Sequence, residues 1–180
     1  MAFGVIQKYA VQAQNVDALN RNVESATALE NGMVFQLETM GTVANREDEV
    51  WVATAPATSS PGLIDLWMLA EPEVVITGAK YRNLDPDPRN YFLAIGTTGS
   101  AFKPEVGDLI LGNADAFTGT KSTNTFVNAT NADFQLTWGA TQTASVLSFK
   151  LRQTSHMSIG IGTLGTQRIT AYMMECVATR

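Results

Sequence analysis

The sequence has one cysteine and one histidine in 180 residues. A lone Cys176 forms no intrachain disulfide, so no covalent framework staples the fold. It alternates with Tyr172 and Met174 in a terminal apolar run, the setting of a buried, inert thiol. A single His156 excludes a multi-histidine metal cage, and one His with one Cys is too few for a zinc site. A Ser-His-Asp triad would have to rest on His156, and no G-x-S-x-G elbow accompanies it. His156 therefore reads as a turn or surface residue. Charge is also scarce: Asp, Glu, Lys and Arg make up 16%, against about 25% in an ordinary globular chain. The twelve basic residues are scattered and the net charge is −5. That excludes duplex binding, which needs clustered cations to displace counterions. No apolar run approaches the roughly 18 residues of a membrane span. No basic segment precedes Phe3-Gly-Val-Ile in the manner of a signal peptide. The expectation is a protein made in a cytoplasm, with no nucleic-acid or membrane partner.

With so few charges, Thr, Ser, Asn, Gln and Ala must cover most of the surface. Such a surface suits strands and turns, and equally a protein packed against neighbours. At 180 residues the chain is long enough for one domain with a real core.

All six prolines lie between Pro56 and Pro104. The best-punctuated stretch runs from Gly62 to Ala114. It holds short apolar runs at Leu63–Leu69, Val74–Ile76, Tyr91–Ile95 and Asp108–Leu111, each bounded by Gly, Pro, Asn or Asp. That is the pattern of strands joined by tight turns. Before it, residues 2–13 alternate with period two, which predicts a strand. Phe3, Val5, Gln7, Tyr9 and Val11 fall on one side, Ile6, Lys8 and Ala10 on the other. Residues 14–31 are ambiguous between a short helix and irregular chain. Asn31-Gly32 marks a turn, followed by strands at Met33–Leu37 and Glu49–Thr54. Beyond the centre, strands are expected at Phe126-Val127, Phe134–Trp138, Val146–Leu151, Met157–Ile161 and Ile169–Val177. Ten to twelve strands and almost no helix make the class all-β. The expected form is a compact antiparallel β-barrel, β-tulip-like or sandwich domain. The expected division is an N-terminal arm over residues 1–30 and a single β-rich domain over 31–180.

Three constellations could carry chemistry. Gly160-Ile161-Gly162-Thr163-Leu164-Gly165 matches G-x-G-x-x-G, but a dinucleotide site needs a helix to follow, and a strand is predicted there. It reads as a Gly-rich β-turn. Asn83, Asp85, Asp87 and Asn90 offer oxygen ligands of the kind that hold calcium. Pro86 and Pro88 stiffen that loop and no bidentate Glu follows, so a rigid solvated loop flanked by Arg82 and Arg89 is expected instead. Trp51, Trp67 and Trp138 could form a sugar platform, although strand tryptophans are more often core. No catalytic residue, no metal and no cofactor emerges.

A family resemblance enters on five segments: Lys8-Tyr9-Ala10; Leu29-Glu30-Asn31-Gly32-Met33-Val34; Arg46-Glu47-Asp48-Glu49-Val50-Trp51; Leu66-Trp67-Met68-Leu69-Ala70; and Lys103-Pro104-Glu105-Val106-Gly107-Asp108. Their order resembles the capsid decoration (cement) proteins of tailed bacteriophages. Residues 112–145 depart from it and read as an insertion or a loop exposed at the virion surface. The resemblance implies a structural virion protein, not an enzyme, made in the host cytoplasm. It would bind the major capsid protein and copies of itself on the assembled shell. The alternative is a carbohydrate-binding or adhesion module on a phage head or tail. Both faces of residues 2–13 carry apolar groups, whereas an edge strand of a lone domain usually has one polar face. Phe3, Val5, Ile6, Tyr9 and Val11 are therefore the candidate partner contacts. The arm either joins another chain by strand addition or folds back on its own domain.

Overall fold

The structure, a computed structural model, describes residues 3–40, 49–57, 65–71, 87–143, 147–160 and 165–179, with 75–76 and 84–85 by their backbone alone. Among them 52% lie in strands and 9% in helical turns, so the chain is all-β with little helix. The strands begin with β1 (Ile6–Ala10), β2 (Asn20–Ser25), β3 (Val34–Met40), β4 (Val50–Thr54) and β5 (Leu66–Leu69). β6 (Val75–Ile76), β7 (Leu84–Asp85), β8 (Gly99–Phe102), β9 (Leu109–Asn113) and β10 (Phe117–Thr118) follow. β11 (Phe126–Asn128), β12 (Leu136–Gly139), β13 (Ser148–Gly160) and β14 (Thr166–Ala178) complete the chain.

A barrel and a sheet pack together through a shared cluster. β2, β4, β3, β5 and β8 close into a barrel, and seven strands form a sheet in the order β1-β9-β14-β13-β11-β12-β10. Alternation along the barrel strands explains how they meet the sheet. Phe35, Trp67, Leu69 and Ala101 point inward and pack with Val23, Leu29 and Ala53. Their neighbours Val34, Leu66, Met68 and Phe102 point outward into a second cluster with Ile6, Ile110, Val127, Phe149 and Met174 of the sheet. A strand buried on both faces reads as an unbroken apolar run, which is why Leu66-Trp67-Met68-Leu69 shows no polar alternation. A third cluster of Val5, Leu111, Met157, Ile159 and Ala171 lies on the other face of the sheet.

The N-terminal segment folds back on its own domain. β1 pairs antiparallel with β9, Ile6 opposite Gly112 and Gln7 opposite Leu111. Side chains from both ends of β9 clamp it. Asn113 Oδ1 accepts from the Val5 N–H at 2.9 Å, and Asp108 Oδ1 from the Gln12 N–H at 2.9 Å. Strict alternation fails within it. Lys8 and Ala10 face the consecutive residues Ile110 and Leu109, so Tyr9 is the extra residue of a β-bulge. The bulge changes the parity of the strand. Val5 enters the far-face cluster, while Val11 joins Ile6 between sheet and barrel.

Other expectations also change. Residues 14–31 hold no α-helix but 3-10 turns at Gln12–Gln14 and Asp17–Leu19 and then β2. Tyr91–Ile95 is not a strand; only Leu93 makes a bridge, to Leu29, and both side chains enter the barrel. The parts of the runs expected at 146–151 and 157–161 that fall within 148–160 belong to one strand of thirteen residues, while 146 and 161 lie outside the described residues. Among the described residues fourteen strands form, against an expected ten to twelve.

Gly32 shows how tightly the segment is seated. Its φ is +90°, and a Cβ there would lie 2.5 Å from Ile6 Cγ1. Gly32→Ala combines backbone strain with overpacking and is expected to cost about 2–4 kcal/mol. Urea unfolding should show a lowered midpoint with an unchanged slope.

Candidate partner-binding surface

The five candidate contacts separate in space. Val5, Ile6 and Val11 are buried in the chain's own core. Phe3 is half-buried; its N–H donates to the Arg89 carbonyl at 2.8 Å, and its ring lies 5.4 Å from that of Phe92. Only Tyr9, on the bulge, is open to solvent, at 65% exposure.

Two further exposed apolar residues, Val16 and Val106, were missed by pattern reading. Val16 is 44% and Val106 57% exposed. Val106, Gly107 and Asp108 line a shallow cavity of about 370 Å³ with Ala10, Val11 and Gln12. Val16 sits between turn residues Asn15 and Asp17, and Val106 sits inside the turn after Pro104. These turns hold both side chains at the surface, and the turn signals were present in the sequence. The surface from Tyr9 through Val16, with Val106 and Gly107, carries no formal charge. Asp108 adds none at the surface, because it is buried and its Oδ2 accepts from the Glu105 N–H at 2.9 Å.

The chemical candidates are placed as follows. Gly160 ends β13 and Gly165, at φ +97°, precedes β14, so a strand stands where a dinucleotide site needs a helix. The four residues between lie outside the described set. His156 is exposed on β13, with Arg168 Nη2 3.1 Å from its Nδ1. Asn83 and the side chain of Asp85 lie outside the described residues. Asp87 accepts from Arg89 Nη2 at 2.8 Å, and that hydrogen-bonded guanidinium holds its carboxyl below the usual carboxylate range. Among the described residues, no three His, Cys, Asp or Glu side chains are grouped to hold a metal ion. Trp67 and Trp138 are buried in different clusters, and Trp51 is half-buried with its Nε1–H donating to Glu49 at 3.0 Å. Cys176 is fully buried, and burial pushes its thiol up to about 12, with Asp108 adding to the effect.

No family model, curated protein or solved structure matches the chain.

Proposed function

We propose that the chain is a structural protein that binds an assembled capsid shell in many copies and stabilises it. The barrel and its stacked sheet would be the compact β-barrel or β-tulip-like body, and the surface around Tyr9 the side that meets the major capsid protein. The observation that carries this reading is the charge-free patch. Tyr9, Val16 and Val106 leave apolar surface in water, Val106 lining a cavity with Ala10, Val11 and Gln12, on a chain of net −5. An exposed apolar patch marks an interaction site, and a charge-depleted centre with an aromatic anchor is the composition of a protein interface. The resemblance to decoration proteins supplies the partner. The alternative of a glycan-binding module draws no support from the tryptophans, because the three do not share a surface.

The test is co-sedimentation with purified, undecorated phage shells. Tyr9→Arg and Val106→Arg place a charge on the patch without touching the core. Each is expected to weaken binding at least about tenfold, the scale of a lost interface anchor, with unchanged thermal unfolding. Full decoration by the double variant would overturn the reading.

A further inference from the structure

The hairpin of β13 and β14 differs in charge from the rest of the chain. Residues 148–178 contain Lys150, Arg152 and Arg168 against one carboxylate, Glu175, a net +2. The whole chain is −5, which leaves −7 for the remainder. Within the hairpin the two faces are unlike. Met157, Ile159 and Ala171 turn one way, into the far-face cluster. Thr154, His156 and Ser158 turn the other way, directly opposite Tyr172, Thr170 and Arg168 in the register. The residues of this second face from His156 to Ser158 and from Arg168 to Thr170 are polar, with His156, Ser158, Arg168 and Thr170 all exposed.

This face offers donors. A guanidinium has no acceptor, so in the 3.1 Å contact Arg168 donates and His156 Nδ1 accepts. The imidazole is then the tautomer with its proton on Nε2, another donor. The Ser158 and Thr170 hydroxyls flank the pair as direct cross-strand neighbours. Lys121 lies at the other end, its Nζ 6.0 Å from the centre of the Tyr172 ring. From Tyr172 to Arg168 the strand runs four residues, about 14 Å. Two cations therefore stand at the ends of a donor-lined strip, and among the strip's own residues on β13 and β14 there is no carboxylate.

We propose that this face docks an acidic polypeptide segment in extended form. Carboxylates four residues apart on such a segment meet Lys121 and Arg168 together, and the hydroxyls and His156 serve the side chains between. Charge complementarity selects the occupant: the strip carries the cations Lys121 and Arg168 on a chain of net −5, so an acidic segment is favoured there over the chain as a whole.

Binding to immobilised poly-L-glutamate at low salt tests this. A protein of net −5 is repelled by a polyanion as a whole, so retention reports a local patch. Wild type should be retained and released at about physiological ionic strength, where the Debye length falls to about 8 Å. Arg168→Glu and Lys121→Glu should each weaken retention at least about tenfold, while Lys8→Glu, an equal change of charge on exposed β1, should leave it within about twofold. The proposal is overturned if wild type is not retained, or if all three variants lose retention equally. It is also overturned if heparin or single-stranded DNA binds as tightly as polyglutamate, which would mark a general polyanion surface.

Discussion

A chain that begins at residue 12 is expected to be unfolded in water at 25 °C. Its loss removes Val5, Ile6 and Val11 from the core, all buried. Burying such a side chain is worth about 1.5–3 kcal/mol. Three together approach the roughly 5–15 kcal/mol that holds a domain folded. The loss also strips β9 of one partner strand and removes the Val5 N–H from which Asn113 Oδ1 accepts. The truncated chain should give a collapsed amide spectrum by NMR and no cooperative melt. Ile6→Ala keeps the chain complete and should cost about 2–5 kcal/mol, so the claim stands on a soluble variant as well. A cooperative melt of the truncated chain near the full-length midpoint would show that the segment is dispensable. The same result separates two roles for the N-terminus. A detachable arm can be deleted without unfolding the body, and a core strand cannot.

The second large effect is expected at alkaline pH. Cys176 has its thiol raised from 9.0 to about 12 in the folded chain, chiefly by burial. Below about pH 9 the thiol is neutral in both states and costs nothing. Above it the unfolded chain loses this proton while the folded chain keeps it, so stability falls as pH rises, by about 1.4 kcal/mol per pH unit. The loss ends at about pH 12, where the folded thiol also ionises. The whole window is worth on the order of 4 kcal/mol. Cys176→Ala has no thiol to ionise. Urea midpoints measured from pH 8 to 11 should fall more steeply for wild type than for the variant. Parallel curves would mean that Cys176 ionises in the folded chain as readily as in the unfolded one.

The same thiol illustrates what the sequence could disclose. Alternation of Tyr172, Met174 and Cys176 against Ala171 and Met173 was readable, and the two sets do enter different clusters. The all-β class was readable for the same reason, since period two and turn residues are local signals. Bulges are not local. Arg152 is the extra residue where Leu151 pairs with Met174 and Gln153 with Met173. It turns Met157 and Ile159 to the face opposite Phe149. The polar stretch around it looked like a gap between two strands because no face of that segment is continuously apolar. β8 was missed because Gly99 and Ser100 hide a strand whose only apolar residues are Ala101 and Phe102. The candidate surface was half readable. Residues 2–13 were singled out for carrying apolar groups on both sides, and two clusters explain that without another chain. Tyr9 could not be separated from Val5 and Val11 until the bulge was known. Val16 and Val106 were visible but sat in turns.

Strand order also governs when this molecule can fold. Among the described residues β1 pairs with β9 alone, about a hundred residues later, and β9 receives its second partner from β14. The barrel strands lie between these points in the chain. On a ribosome β1 emerges with its apolar side chains uncovered, and its cover is not complete until β14 has emerged as well. Pairings so distant in sequence close slowly, and exposed strand edges in partly made chains promote aggregation. The bulge at Tyr9 and the charge of Lys8 then have a second use, because both discourage edge-to-edge pairing between neighbouring nascent chains. Refolding from denaturant should accordingly be limited by the docking of β1 and β14 on β9, and its yield should fall with protein concentration.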